Sequence, residues 1–403
     1  MEIMNKSTNE ALNKLLAVNL TIEQQDLEKR LLRFCKKLLA EQKRGVFVIS
    51  GDAGTGKSVV LTSIFGTLQK LAKDKASLLY KTNNYLLVNH PEMLKLYRNI
   101  AAVCPGLLKK NFERPTTFIN RSQKEQSESD IVLIDEAHLL LTKRDPYNHF
   151  KQENQLQEII KLSKIVILVF DEKQVLKGKS YWSNDKLKRL VAAKNVQYYH
   201  LTEQFRVKAG EDVKDWIKEL VEKRISAPPA PQKFDFRIMN DAQEMYELIK
   251  QKNSTVGLSR MLATYDFPYR LDGQDYYVNT GDFKLRWDRN QPQAPLPWAE
   301  RKDSIAEVGS VYTIQGFDLN YAGVILGPSV RYDAVRDCLK ICPEAYQDQA
   351  AFNGLAKKKN AFVLKERLIL NSIDVLLTRA RLGMYIYAAD TALRTRLLKG
   401  YSK

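Results

Sequence analysis

Gly51-Asp52-Ala53-Gly54-Thr55-Gly56-Lys57-Ser58 sets spaced glycines beside a lysine and a hydroxyl. Glycines at this spacing let the backbone fold into a concave nest of N–H groups that cradles phosphates. Gly51, Asp52, Ala53, Gly54, Thr55 and Gly56 would form the cradle. Lys57 supplies a charge that reaches the β- and γ-phosphates, and Ser58 offers a hydroxyl to Mg2+. The expected ligand is ATP with magnesium. Val46-Phe47-Val48-Ile49 before the loop reads as a buried strand. Val59 to Leu71 after it reads as a helix, whose N-terminal dipole end favours an anion.

Other constellations could work on that ligand. The apolar run Ile131-Val132-Leu133-Ile134 delivers Asp135 and Glu136 to the C-terminal edge of a sheet, where ligands sit in open α/β folds. Asp135 is placed to hold Mg2+ directly or through water, and Glu136 to polarise the attacking water. Phe170-Asp171-Glu172-Lys173-Gln174 follows the next apolar run. Gln174 there suits contact with the γ-phosphate or its water, although a polar turn after a strand accounts for the same residues. Arg206 closes Leu201-Thr202-Glu203-Gln204-Phe205-Arg206, and Arg379 lies in Thr378-Arg379-Ala380-Arg381. An arginine stabilises charge spreading over a transferred phosphoryl group. In Tyr312-Thr313-Ile314-Gln315-Gly316-Phe317-Asp318, Gly316 permits a tight turn. Thr313 and Gln315 suit either a nucleic-acid backbone or the nucleotide.

The elements that must position these groups alternate in type. Residues 20–41 carry Leu27, Leu31, Phe34, Cys35 and Leu38 at helical spacing. The runs at Val46, Tyr85, Ile131 and Ile165 are continuous rather than alternating, as in strands buried on both faces of a parallel sheet. Helical patterns separate them, which predicts an α/β layout. Ser226-Ala227-Pro228-Pro229-Ala230-Pro231 reads as a loop. Beyond it the rhythm resumes, with strands expected at Val256-Gly257-Leu258, Val311-Tyr312-Thr313, Val324-Ile325-Leu326 and Tyr385-Ile386-Tyr387. Residues 265–302, rich in Asp, Asn, Gly, Pro and aromatics, read as an insertion with a little β structure. Two domains are expected, 1–205 and 206–403.

The chain has 403 residues and a formal net charge of +17, which suits a polyanionic partner such as nucleic acid. No apolar run reaches the length of a membrane span, and the polar N-terminus lacks a signal-peptide pattern. The scattered Cys35, Cys104, Cys338 and Cys342 lack histidines at zinc-site spacing and are expected as reduced thiols of a cytoplasmic protein.

The ordered motifs resemble a superfamily 1 helicase core. More narrowly, the chain resembles the Schlafen group 3-like DNA/RNA helicase domain family of bacteria. The specific likeness lies in Gly281-Asp282-Phe283-Lys284-Leu285-Arg286-Trp287, Glu307-Val308-Gly309 and the long run Thr313 to Ile325. It continues through Gly327-Pro328 to Arg331-Tyr332-Asp333. The resemblance implies two RecA-like P-loop lobes, with ATP in the cleft between them. It assigns the adenine base to Gln24, the phosphates and metal to Lys57 and Ser58, and the metal and water to Asp135 and Glu136. Gln174, Arg206 and Arg379 match its γ-phosphate sensors, and Gln315-Gly316 its coupling segment.

There are departures from the family pattern. Tyr312 stands where relatives often carry His. With only a short segment before the first strand, no nuclease domain is expected. Little length is left for the inserted subdomains of processive unwinding enzymes. A single strand of DNA or RNA is the expected partner, with Asn89, His90, Thr116, Thr117, Phe118, Arg286, Trp287 and Trp298 as candidate contacts. An ATP-gated switch acting on a protein partner is the alternative, and a phosphotransferase accounts for the phosphate loop alone.

Overall fold

The computed structural model describes residues 20–51, 55–192, 194–202, 210–230, 233–270, 272–289, 291, 293–355 and 360–399. The chain divides into two compact units, residues 1–175 with 179–205, and residues 176–178 with 206–403. Among the described residues no helix is long and apolar enough to cross a membrane.

The first unit is built on a six-stranded parallel sheet. Its strands are β1 (Gly45–Gly51), β2 (Asn84–Val88), β3 (Phe112–Glu113), β4 (Ser129–Asp135), β5 (Ser163–Phe170) and β6 (Asn195–Leu201), in the order β3-β2-β4-β5-β1-β6. The central strands are buried nearly end to end, which is why their sequences are continuous apolar runs. Helix Ile22–Ala40 opens with a capping box made by Thr21 and Gln24. It packs Phe34 edge-on against Phe47 of β1, with ring centroids 5.4 Å apart. Helix Pro91–Val103 starts from His90, whose ring accepts the Met93 N–H, with Pro91 in the first turn.

The second unit holds a seven-stranded sheet. Its strands are β7 (Asp235–Ile238), β8 (Ser259–Ala263), β9 (Tyr277–Thr280), β10 (Phe283–Trp287), β11 (Glu307–Gly309), β12 (Leu319–Leu326) and, after a separate hairpin, β15 (Ala380–Ala388). The hairpin pairs β13 (Val330–Asp333) with β14 (Cys338–Ile341). The sheet order is β7-β15-β12-β8-β11-β10-β9. All its pairings are parallel except β10 with β9. The segment read as an insertion thus contributes the β9–β10 hairpin to one edge of this sheet.

Two strand expectations fail here. Val256 ends the helix Ala242–Val256, and Gly257 caps it at φ 70°, a conformation that costs glycine nothing. The strand starts only at Ser259. Val311-Tyr312-Thr313 belongs to a short helix, Val311–Ile314, because Ser310 and Thr313 form a capping box that outweighs their β-branched neighbours.

Glu300 is 3% exposed, and neither carboxylate oxygen has a hydrogen-bond partner among the described residues. Burial raises its pKa from 4.5 to about 7. The stability that its neutral form provides is present below 4.5 and is lost as pH rises through about 7. Ionising it at pH 8 costs about 3 kcal/mol. Glu300→Gln is therefore expected to melt several degrees above wild type at pH 8, with the gap closing by pH 5. Thermal melts across that range check this, and equal melting points at pH 8 would refute it.

Candidate nucleotide and magnesium site

Strands β1, β5 and β4 are parallel neighbours, so their C-terminal ends lie side by side. β1 runs into the glycine loop, β4 ends on Asp135, and β5 ends one residue before Asp171. Three separate sequence motifs are thereby brought to one edge. Asp52, Ala53 and Gly54 at the centre of the loop, and Arg206, lie outside the described residues. Gly56 has φ 74° and caps helix Lys57–Leu71, a left-handed turn suited to glycine. Thr55 is buried.

Lys57 is buried, and its Nζ donates to the Gly51 carbonyl at 2.6 Å. It also lies 3.6 Å from Asp171 Oδ2. Gln174 Nε2 donates to the same Asp171 oxygen at 2.8 Å. Burial alone would raise the Asp171 pKa. Attraction to Lys57 and His138 and the hydrogen bond from Gln174 outweigh it, holding the carboxyl below its ordinary value. Asp171 therefore stays ionised and fixes both Lys57 and Gln174.

Asp135 is 0% exposed. Its Oδ1 accepts the Glu136 N–H at 3.0 Å, and its Oδ2 accepts the Tyr97 hydroxyl. Burial, reinforced by the charge of Glu136, raises its pKa to about 6. Hydrogen bonds from Tyr97 and Ser58 oppose that rise. Glu136 sits at φ 51°, ψ 49°, a left-handed conformation that a non-glycine residue adopts at a cost of about 1–2 kcal/mol. Such strain collects at functional sites. Its Oε2 lies 3.1 Å from His138 Nε2, and the His138 side chain is completely buried.

The donor set fits magnesium. Ser58 and Asp135 are hard oxygen groups already in hydrogen-bond contact, and Mg2+ is characteristically held by one or two carboxylates plus substrate phosphates. Among the described residues no cluster of His, Cys, Asp and Glu forms a dedicated metal cage. Ser58 and Asp135 would hold the ion, which when bound neutralises developing phosphate charge.

Gln24 is buried, and its Oε1 accepts from the Thr21 N–H at 3.2 Å. Its side-chain oxygen is thus engaged in the helix cap. In the second unit, Gln315 is buried at the C-cap of helix Val311–Ile314, and Gly316 turns the chain at φ 86°. Arg379 is buried, with Nε donating to the Val375 carbonyl at 2.9 Å. The Tyr312 hydroxyl donates to Asp348 at 2.5 Å. Burial followed by the charge of Asp348 raises its pKa well above 10, so it stays a neutral donor where a histidine would titrate.

The aromatic candidates for base stacking require correction. Phe118, Trp287 and Trp298 are core residues. Trp287 stacks on Tyr265 with centroids 5.5 Å apart. Trp298 Nε1 donates to buried Glu307 at 2.8 Å, and Arg286 pairs with the same carboxylate at 2.7 Å. His90 serves as a helix cap and Asn89 donates to the Leu139 carbonyl. Their polarity and aromaticity are spent on the fold.

Sequence reasoning overlooked Asp171, His138 and Tyr97 as site residues. Asp171 carried the same signal as Asp135, a carboxylate directly after an apolar run. His138 stood inside the Asp-Glu-Ala-His string. Tyr97 carried no signal at all, because only the pairing of β2 with β4 brings its helix over Asp135.

The family signature described as Schlafen group 3, DNA/RNA helicase domain matches residues 44–390. The relative titled "Uncharacterized protein YPL245W", from Saccharomyces cerevisiae, is 47% identical over 427 residues, covering 98% of this chain and 94% of its own length. Because that relative is a yeast protein, the bacterial setting expected from the resemblance is not supported. Among solved structures, the Pif1 helicase from Candida albicans aligns over 96% of this chain and 99% of its own, at 12% identity and TM-score 0.38. The ORC2 protein of Aeropyrum pernix aligns over 60% and 55%, at 13% identity and TM-score 0.28. Neither structural likeness is close enough to carry an argument about function.

Proposed function

The chain belongs to the Schlafen group 3, DNA/RNA helicase domain family, and from that membership we propose that it is an ATP-driven nucleic-acid motor of superfamily 1 helicase type. The observation that carries this reading is the convergence of Lys57, Asp135, Glu136, Asp171 and Gln174 at the ends of adjacent parallel strands. In this reading ATP lies on the glycine loop, with its β- and γ-phosphates against Lys57. Glu136 takes the proton of the attacking water, and Gln174 orients that water or the γ-phosphate. Asp171 keeps Lys57 and Gln174 in place. Gln24 takes the adenine through its amide group. Both units are RecA-like lobes, and Gln315 and Gly316 form the coupling segment of the second. Arg206 and Arg379 stabilise the charge of the transferred phosphoryl group.

The partner is a single strand of DNA or RNA, held mainly through its phosphates by the excess of basic residues. With Phe118, Trp287 and Trp298 in the core, any stacking on bases falls to exposed rings such as Tyr147, Tyr198 and Phe362. ATP turnover advances the chain along that strand in the cytoplasm, without a requirement for duplex separation.

The test is phosphate release measured against a panel of single- and double-stranded DNA and RNA at low salt. Single strands are expected to raise the rate severalfold, with binding that weakens steeply and log-linearly as salt increases. A rate indifferent to every nucleic acid, alongside intact binding of magnesium ATP, would instead favour an ATP-gated switch that acts on a protein partner.

A further inference from the structure

We propose that Tyr97 is a positioning residue for the magnesium carboxylate Asp135, a role that rests on the nucleotide reading of the site above. Tyr97 lies in helix Pro91–Val103, outside every motif of the sequence, and is completely buried. Its ring stacks on Phe112 with centroids 5.8 Å apart and planes 15° from parallel. Packing therefore fixes where the hydroxyl points, and it points at Asp135 Oδ2. Thr62 stands beside the hydroxyl. Thr62 in turn donates to the Ser58 carbonyl at 2.7 Å, one helical turn back.

Tyr97 thus ties the proposed magnesium carboxylate, Asp135 on β4, to a separate element, helix Pro91–Val103. Asp135 has its other oxygen on the Glu136 N–H, so both oxygens are held and the carboxylate plane cannot rotate freely. With the Glu136, Tyr97 and Ser58 hydrogen bonds in place, one lone pair of the carboxylate remains for the ion or its water. The side chain of a metal-binding carboxylate is commonly oriented by such an outer partner, whose loss lowers metal affinity by roughly 10- to 100-fold. Burial, followed by the charge of Asp135, raises the Tyr97 pKa well above 10.

The experiment compares wild type with Tyr97→Phe, which keeps the ring and its packing on Phe112 and removes only the donor. The probe is a fluorescent ATP analogue, bound without turnover, titrated with magnesium chloride or held in EDTA. For Tyr97→Phe the magnesium concentration at half-maximal binding is expected to rise about tenfold, while affinity in EDTA stays within twofold. Thr62→Val, which removes the hydroxyl beside Tyr97 and leaves the Tyr97–Asp135 bond, is expected to shift the midpoint by less. A magnesium midpoint unchanged in Tyr97→Phe overturns the positioning role. An equal loss of affinity with and without magnesium also overturns it, because that marks damage to the fold rather than to the metal site. If wild type does not bind the analogue at all, the nucleotide reading of the site falls and this role falls with it; if it binds with no response to magnesium, the metal assignment of Asp135 and the role of Tyr97 fall while the nucleotide reading stands.

Discussion

Lys57→Ala is expected to reduce ATP hydrolysis by at least about 100-fold, which corresponds to roughly 2.7 kcal/mol of transition-state stabilisation or more. The amino group is held at the loop between the Gly51 carbonyl and Asp171. In the proposed mode of binding, its removal deletes the charge that would meet the β- and γ-phosphates. It also leaves Asp171 buried without its nearest cation, and breaking a buried pair from one side destabilises by about 3–5 kcal/mol. The two effects separate by pH. Asp171 is held below the ordinary carboxylate value, so in wild type its contribution to stability is present above that value. It is lost as pH falls through the depressed pKa. Without Lys57 that pKa rises, so the thermal deficit of Lys57→Ala should shrink as the medium is acidified, while hydrolysis stays lost. Lys57→Ala combined with Asp171→Asn removes both charges, and it is expected to recover much of the melting temperature with no gain in phosphate release. Recovery of hydrolysis in the double variant would show that Lys57 acts on the fold and not on the phosphates.

The glycine loop, Asp135 and the strand before Asp171 are legible in the amino-acid sequence because a parallel strand buried on both faces is a short unbroken apolar run, and its end is where chemistry collects. β6 is not legible, since Asn195–Leu201 is largely exposed and its sequence looks like a polar loop. Val311-Tyr312-Thr313 misleads because local β-preference loses to a capping box, and Val256 because a glycine cap sets the helix end. Trp287 and Trp298 look like binding residues in a polar stretch, but they fill the second unit's core. What a side chain touches across strands has no local signature. Tyr97 and Asp135 are far apart in sequence and meet only because β2 lies beside β4.

Glu136→Gln is expected to separate chemistry from binding. The substitution keeps the size of the side chain and removes its capacity to accept a proton, so turnover should fall by about 100- to 10,000-fold. Affinity for the fluorescent ATP analogue should remain within a few-fold, because Lys57, Ser58 and Asp135 are untouched. Stability should move in the opposite sense to Lys57→Ala. The negative charge of Glu136 is the second cause, after burial, of the raised pKa of Asp135. Its removal relieves a repulsion between two buried carboxylates that is strongest where both are ionised, above about pH 6. The variant is therefore expected to melt at or above the wild-type temperature at pH 8 while hydrolysing almost nothing. A single-turnover phosphate assay, an equilibrium binding titration and a thermal melt on one preparation decide the matter. Turnover within threefold of wild type would remove Glu136 as the base. In that case His138, 3.1 Å from its carboxylate and buried beside it, is the next base to test.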